Sequence, residues 1–428
     1  MIYKIKSVFK SSFVRNASKL ASGTIVAQII AFITIPILSR TYSQESFGLL
    51  AIFSAVVAFI SSFATLKYDT ALVLPKDDKD AYTLLKLSNI ATLIVTVICV
   101  SFMFLPIPYF KQYQGLQVLI GIGVLLSVNY NNSALWNIRY KQFNHTAISN
   151  VIQSIAIFLA QYLLYHYFEL KGLIIGNVIG VFIAGIYLII NRDFDWKVYR
   201  TITKDNMREQ GKRYIDFPKY FTAANAILSL SSSLPVLLFV KYIPLSQIGV
   251  YGIALRIISQ PVSLIANSIR SVILADMAER KNQKKSILKW YIKIFSGLFV
   301  VSLLASLGLI LLADYIVNIF LGKEWVDAAL YAKMLIPLLI GMMIASPGTA
   351  AIRVFEMQKY NFKYSIFSLV LKAITLLGLF GWTNLNFEYI ILIYAVVNLL
   401  LIVGNNSIIL IRIRAYEQLV QSYQISDL

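Results

Sequence analysis

Three basic residues, Arg256, Arg270 and Lys372, lie inside long apolar stretches of this sequence. A charge near the centre of a membrane-spanning helix costs at least about 2.5 to 3.5 kcal/mol, so such residues are default candidates for function. None of the twelve apolar stretches given below contains Asp or Glu. Carboxylates suit protons, sodium ions or cationic compounds, whereas a guanidinium grips a phosphate or diphosphate through two parallel hydrogen bonds. The sequence therefore predicts that the ligand is anionic.

The three cations differ in their expected depth. Arg256 is about ten residues from the nearer end of its stretch, which corresponds to about 15 Å of helix and places it near the membrane midplane. Arg270 and Lys372 are closer to an end and could reach interfacial water along their own aliphatic stems. We expect Arg256 to bind the ligand, and for Arg270 and Lys372 simple snorkelling remains an alternative.

Uncharged polar and aromatic residues also gather in two of the apolar stretches. Asn129, Asn132 and Trp136 lie in one stretch, and Asn225 lies in another together with a run of serines. Amides and aromatic faces are the groups that contact sugar hydroxyls and sugar rings. The alternative is hydrogen bonding between neighbouring helices. We treat these four residues as candidate sugar contacts.

The elements that must position these residues are membrane helices. Hydrophobic residues make up 58% of the 428 and charged residues only 14%, against roughly 25% in soluble proteins. A spanning helix needs about 20 apolar residues, and in lipid such a span must be helical to satisfy its backbone. Twelve stretches qualify: 20–39, 46–66, 87–110, 112–138, 146–168, 172–191, 220–240, 246–275, 294–313, 334–352, 364–382 and 389–411.

The net charge of +19 follows from the distribution of basic residues between the connections. If the N-terminus is cytoplasmic, the cytoplasmic segments carry 30 of the 39 Lys and Arg, and the opposite side carries six. Basic residues concentrate on the cytoplasmic side of membrane proteins. Both termini are therefore predicted to be cytoplasmic. No basic segment interleaves aromatics as a nucleic-acid module does, so nucleic acid is not an expected partner.

The sequence contains no pattern typical of a metal site or a nucleotide-binding site. Cys99 is the single cysteine, and the two histidines, His145 and His166, are far apart without a second ligand at helical spacing. No Gly-rich phosphate-binding pattern of an ATPase is present. We expect no metal and no cofactor.

The chain divides near its middle. The longest polar connection, residues 192–219, follows six predicted helices and precedes six more. This predicts an N-terminal six-helix bundle at 1–191, a cytoplasmic linker at 192–219 and a C-terminal six-helix bundle at 220–428. Transporters built in this way bind their cargo in the cavity between the repeats.

Two pairs of residues indicate an internal repeat. Pro36 and Pro235 each stand late in the first helix of a half, and Gly48 and Gly249 each follow the next connection. Their offsets, 199 and 201, agree within two residues. With an even number of spans in each half, such repeats are parallel and related by a pseudo-two-fold axis along the membrane normal.

Several segments resemble bacterial polysaccharide flippases of the Wzx type. The longest runs from Asn16 to Ser88. The others, in order along the chain, are Leu135 to Asn144, Tyr214 to Phe221, Ile248 to Ile265 and Phe320 to Pro337. Together these segments span most of the chain.

The resemblance implies membership of the multidrug, oligosaccharidyl-lipid and polysaccharide exporter superfamily, with two six-helix bundles in a V shape. It implies a flippase, not an enzyme, in the bacterial inner membrane. The expected cargo is an undecaprenyl-diphosphate-linked oligosaccharide, such as an O-antigen repeat unit of lipopolysaccharide. The expected reaction is its transfer from the cytoplasmic to the outer leaflet by alternating access, with a polysaccharide polymerase and chain-length machinery as further partners.

The same resemblance adds three candidate residues for the lipid diphosphate. These are Arg40 after the first helix and Lys67 and Asp69 after the second, alongside Arg256 and Arg270. For all three added residues, an ordinary role as an interfacial anchor remains open.

Three other classes of protein compete with this interpretation. A major-facilitator transporter lacks support because its Gly-Asp-Arg-Gly signature is missing from residues 67–86. A multidrug exporter of the same superfamily is disfavoured by the absence of carboxylates within the stretches. A polysaccharide polymerase or ligase would have a large outer loop with Arg and His, and the longest outer connection, 314–333, contains neither.

Overall fold

A computed structural model describes residues 12–107, 109, 114–283 and 285–426. The described residues form helices and connections without any strand. Twelve long helices dominate. In chain order they are α1 (Ser12–Thr41), α2 (Gln44–Ala64), α3 (Asp78–Met103), α4 (Gln117–Arg139), α5 (Phe143–Leu164), α6 (Gly172–Ile190), α7 (Thr222–Tyr242), α8 (Leu245–Asn282), α9 (Leu288–Phe320), α10 (Ile336–Val354), α11 (Gln358–Trp382) and α12 (Phe387–Ser426).

All twelve helices contain a segment that is long and apolar enough to cross a membrane. The shortest of these segments has 19 residues, which gives about 28 Å of helix and matches a hydrocarbon core of about 30 Å. The prediction of an all-α, multi-pass membrane protein with twelve spans is therefore confirmed.

Several boundaries differ from the sequence prediction, and two of them show the physical reason. Helix α3 begins at Asp78 instead of residue 87, and Asp77 caps it by accepting a hydrogen bond from the Lys79 backbone N–H at 3.1 Å. Acidic residues in the first turn are favourable at a helix N-terminus, so the helix continues into its charged end. Helix α8 runs to Asn282, but its apolar segment already ends at Ala266. A search for uncharged stretches finds the membrane segment of a helix and misses its interfacial extension.

By its contacts the chain forms two compact units, one up to Gly249 and one from Val250 onward. The predicted bundle boundaries at 191 and 220 stay a prediction. In the first unit, α5 and α6 approach closely. A Cβ added at Gly176 would lie 2.6 Å from the Gln161 backbone nitrogen, and one at Gly180 would lie 2.5 Å from that of Ile157. Small residues four apart allow this close packing of membrane helices.

The first turns of α2 and α8 touch through the two glycines that indicated the repeat. A Cβ at Gly48 would lie 2.1 Å from the carbonyl oxygen of Leu245, and one at Gly249 would lie 1.9 Å from that of Gln44. The offset of 201 that relates Gly48 to Gly249 also relates Gln44 to Leu245. Gly48 contacts Leu245, and its equivalent Gly249 contacts Gln44, the equivalent of Leu245. Such a reciprocal contact is the signature of a local two-fold axis.

The second unit is held partly by buried polar contacts between α9 and α12. The Tyr291 hydroxyl donates to Asn406 Oδ1 at 2.5 Å, and both side chains are buried. The first turn of α9 is capped by Glu417, whose carboxylate accepts from the backbone N–H of Leu288 at 2.9 Å and also from that of Ile287. The ends of α9 and α12 are thereby fixed to each other.

Candidate functional site

The first unit contains a polar cavity of about 470 Å³. Two charged side chains, Lys67 and Asp69, line it beside hydroxyl and amide groups from α2, α4, α5 and α6. The uncharged polar lining consists of Ser54, Ser61, Ser62, Thr65, Ser127, Asn131, Gln153 and Asn177. Such a lining offers many hydrogen-bond donors and acceptors with little net charge, which suits a polyhydroxylated ligand.

The turn after α2 sets the positions of the two charged residues. Leu66 and Lys67 both have positive φ values, 49° and 60°, in the left-handed region that non-glycine residues rarely adopt. The Thr65 hydroxyl donates to Asp69 Oδ1 at 2.7 Å and accepts from the Lys67 backbone N–H at 3.0 Å. Thr65 thus links the two charged residues of the cavity.

Arg139, at the end of α4, holds the remainder of this turn. Its Nη1 donates to the carbonyl oxygens of Leu72 at 3.1 Å and Pro75 at 2.7 Å. Its Nη2 pairs with Asp78 Oδ1 at 2.9 Å, and only 10% of the arginine side chain is exposed. Arg139 is a positioning residue, and no motif in the sequence indicated this role.

An aromatic cluster lies behind the turn. Trp136 is fully buried, packs on Tyr82 with ring centroids 4.5 Å apart, and donates from Nε1 to the Asp193 carbonyl at 2.7 Å. Burial raises the pKa of the Tyr68 hydroxyl, which donates to the Gly211 carbonyl at 3.4 Å. The ring of Trp136 therefore packs the 192–219 segment against the helices of the first unit.

The three asparagines predicted as sugar contacts also have partners within the protein. Asn132 is buried and donates from Nδ2 to Ser88 Oγ at 3.0 Å and to Asn89 Oδ1 at 2.9 Å. Asn129 and Asn225 each donate to the carbonyl four residues earlier in their own helix, at 2.7 and 2.8 Å. Contact of these residues with sugar stays a prediction.

In the second unit, Arg256 lies in the middle of the apolar segment Leu245–Ala266. It is half-buried, and within the described part of the chain it has no hydrogen bond or ion pair. Arg270 lies four residues beyond the end of that segment, and its enclosed Nε has no hydrogen-bond partner among the described residues. About 21 Å of helix separates the two arginines, so they cannot grip one phosphate together.

The other two predicted cations are found on α1 and α11. Arg40 is exposed in the last turn of α1, and Lys372 is buried in α11 with 9% of its surface exposed. The 21 residues of α2 separate Arg40 from Lys67, which is about 31 Å along the helix. Arg40 therefore lies at the opposite membrane surface from the cavity residues Lys67 and Asp69.

No group of three or more potential metal ligands from His, Cys, Asp and Glu occurs in the described ranges. The chemistry available in the described site is hydrogen bonding and charge recognition.

Solved structures with the same fold are transporters. The inward-facing conformation of a multidrug resistance MATE family transporter of the MOP superfamily matches with a TM-score of 0.70 at 12% identity, over 92% of this chain and 99% of that one. The lipid II flippase MurJ matches with a TM-score of 0.69 at 15% identity, over 96% and 93%. A MOP superfamily transporter from Pyrococcus furiosus matches with a TM-score of 0.54 at 12% identity, over 94% and 96%.

The chain is therefore a multi-pass membrane protein whose fold resembles that of these transporters. Residues 37–330 match the family model described as polysaccharide biosynthesis protein, and the chain belongs to that family. No curated protein matches the chain by sequence.

Proposed function

We propose that this protein is a flippase for an undecaprenyl-diphosphate-linked oligosaccharide, such as an O-antigen or related surface-polysaccharide repeat unit. It works in the bacterial inner membrane by alternating access, with both termini and residues 192–219 in the cytoplasm. The cargo enters from the cytoplasmic leaflet and leaves in the periplasmic leaflet, where a polymerase and chain-length machinery use it.

The observation that carries this proposal is the mid-span position of Arg256 without a partner in the described residues. A desolvated guanidinium is costly unless an anion approaches it, and a diphosphate matches its two-pronged geometry. The acidic residues of the long helices lie nearer their ends, as Glu45, Asp314 and Glu417 illustrate. This charge distribution favours an anionic cargo over a cationic drug.

The cavity with Lys67 and Asp69 supports the sugar part of the proposal. Its hydroxyl and amide groups can exchange hydrogen bonds with sugar hydroxyls, and Lys67 can meet an acidic sugar or a phosphate. The turn that contains these residues lies between α2 and α3, on the side predicted to be cytoplasmic, where the cargo is loaded. Arg40, on the opposite side, is proposed to meet the diphosphate at release, and Arg270 to attract it near the surface. Lys372, buried near the middle of α11, is proposed to contact the diphosphate within the membrane.

The test is flipping of a fluorescent undecaprenyl-diphosphate sugar by the purified protein in proteoliposomes, measured as protection from a membrane-impermeant quencher. Arg256→Ala should slow flipping at least tenfold, and Arg256→Lys should restore it only in part because an ammonium lacks the bidentate fork. Arg414→Ala, which removes an exposed cation from α12, is the matched control.

A second pair of variants tests the sugar site in the same assay. Asn131→Ala removes an amide from the cavity lining, whereas Asn191→Ala removes an amide outside it at the end of α6. We expect slower flipping only for Asn131→Ala. Wild-type rates for both Arg256→Ala and Asn131→Ala in vesicles with normal protein content would refute the proposed function.

A further inference from the structure

A second cavity, of about 520 Å³, runs between α11 and α12 in the second unit. Its walls are mostly apolar, and several wall residues, including Phe367 and Leu400, are accessible from the surface of the unit. Both helices contain an apolar spanning segment, so this groove lies at membrane depth.

The length of the groove corresponds to one leaflet. On α11 its lining extends from Tyr360 to Thr375, which is about 22 Å of helix, and the apolar part from Phe367 to Thr375 is about 12 Å. Half of a 30 Å hydrocarbon core is about 15 Å. The groove therefore matches one acyl chain of a single leaflet, and a longer polyprenyl chain would extend well beyond it.

One end of the groove is polar and basic. Lys363 lines it there, and the Tyr360 hydroxyl donates to Asn405 Oδ1 at 2.8 Å. The Arg412 guanidinium lies over the Tyr360 ring, 4.7 Å from its centroid. Among the described residues neither Lys363 nor Arg412 forms an ion pair with a carboxylate.

This basic end lies on the side that carries most of the basic connections and is predicted to be cytoplasmic. Basic pockets between membrane helices on that side bind the head groups of anionic lipids. An apolar groove one leaflet long, ending in two cations, is complementary to a lipid with an acyl chain and a phosphate.

We propose that this groove binds an anionic phospholipid of the cytoplasmic leaflet. One acyl chain lies between α11 and α12, and the head-group phosphate contacts Lys363 and Arg412. The Tyr360–Asn405 hydrogen bond fixes the ring under Arg412 and so orients its guanidinium. The site is separate from the residues assigned to the flippase cargo, and the proposal does not depend on that function.

The test is lipid binding to the purified full chain, measured by native mass spectrometry with phosphatidylglycerol and with phosphatidylcholine. The wild type should retain phosphatidylglycerol in preference. Lys363→Gln with Arg412→Gln should weaken phosphatidylglycerol binding roughly 25-fold, as expected for two interfacial cations. The matched control, Lys359→Gln with Arg414→Gln, removes two exposed cations from the same helices outside the groove and should leave binding unchanged.

A steric variant tests the acyl chain. Gly404 lines the groove, and a Cβ there meets nothing within 4 Å, so Gly404→Leu adds a side chain that occupies the groove. Gly297→Leu adds the same side chain on the open surface of α9. Only Gly404→Leu should reduce retention of the lipid, and size-exclusion chromatography checks that both variants are folded. Equal loss with both pairs of charge variants, equal binding of the two lipids, or full binding by Gly404→Leu would overturn the proposal.

Discussion

The contact between Gly48 and Gly249 gives the sharpest test of the internal repeat. A carbon rests against a carbonyl oxygen at about 3.3 Å or more. A Cβ at 2.1 Å from the Leu245 oxygen or 1.9 Å from the Gln44 oxygen therefore needs the two helices to move apart by more than 1 Å. Backbone atoms cannot escape by changing rotamer. We expect each Gly→Ala variant to cost about 3 kcal/mol, the upper part of the range for overpacking.

The reciprocal geometry also predicts the stability of the double variant. A single separation of α2 from α8 relieves both clashes, so the double variant Gly48→Ala with Gly249→Ala should cost about 3 to 4 kcal/mol, well short of the additive 6. The measurement is the free energy of unfolding in mixed micelles during an SDS titration. Gly308→Ala is the control, because its Cβ meets nothing within 4 Å and should stabilise the helix by about 0.5–1 kcal/mol.

Two results would refute this reasoning. Wild-type stability of either single variant would mean that the helices are not in contact at these glycines. Additive losses in the double variant would mean that Gly48 and Gly249 belong to independent contacts, and the local two-fold relation would be lost with them.

Two more predictions concern polar contacts that fix the helices, and both use the same unfolding measurement. Arg139→Ala should lower the free energy of unfolding by about 3 kcal/mol and speed proteolysis between α2 and α3, because charge-assisted hydrogen bonds are lost. Arg213→Ala removes an exposed ion pair and should change the stability by less than about 1 kcal/mol. Tyr291→Phe should cost about 1–3 kcal/mol because the buried Asn406 amide oxygen loses its donor, and an unchanged value would show that water or another group satisfies it.

The membrane spans were predictable because hydrophobic length is a direct physical requirement of the bilayer. The internal repeat also left a signal in the sequence, because a side chain at Gly48 or Gly249 would clash with backbone atoms where the two helices meet. The ends of α3 and α8 were not found, because capping and interfacial charge extend a helix past its apolar part. The search for uncharged stretches detects only the apolar part of each helix.

The site residues show where sequence reasoning stops. Asn129 and Asn131 stand two positions apart, which places them about 200° apart around a helix, and only Asn131 lines the cavity. Nothing in composition separates such neighbours. Trp136 had the same aromatic character as a sugar-stacking residue, but its surroundings enclose it. Lys67 and Asp69 were found through family resemblance, and their shared cavity depends on a left-handed turn without glycine.

That turn argues for a division of tasks within the proposed flippase. Two successive non-glycine residues with positive φ cost free energy, and such strain persists where the surroundings determine it, often at functional sites. Here Thr65 and Arg139 supply those surroundings. The result is a cavity in which one cation and one anion nearly cancel, suited to neutral hydroxyl groups. Arg256, with no partner in the described residues, has an uncompensated charge, so we assign the sugar to the cavity and the diphosphate to Arg256.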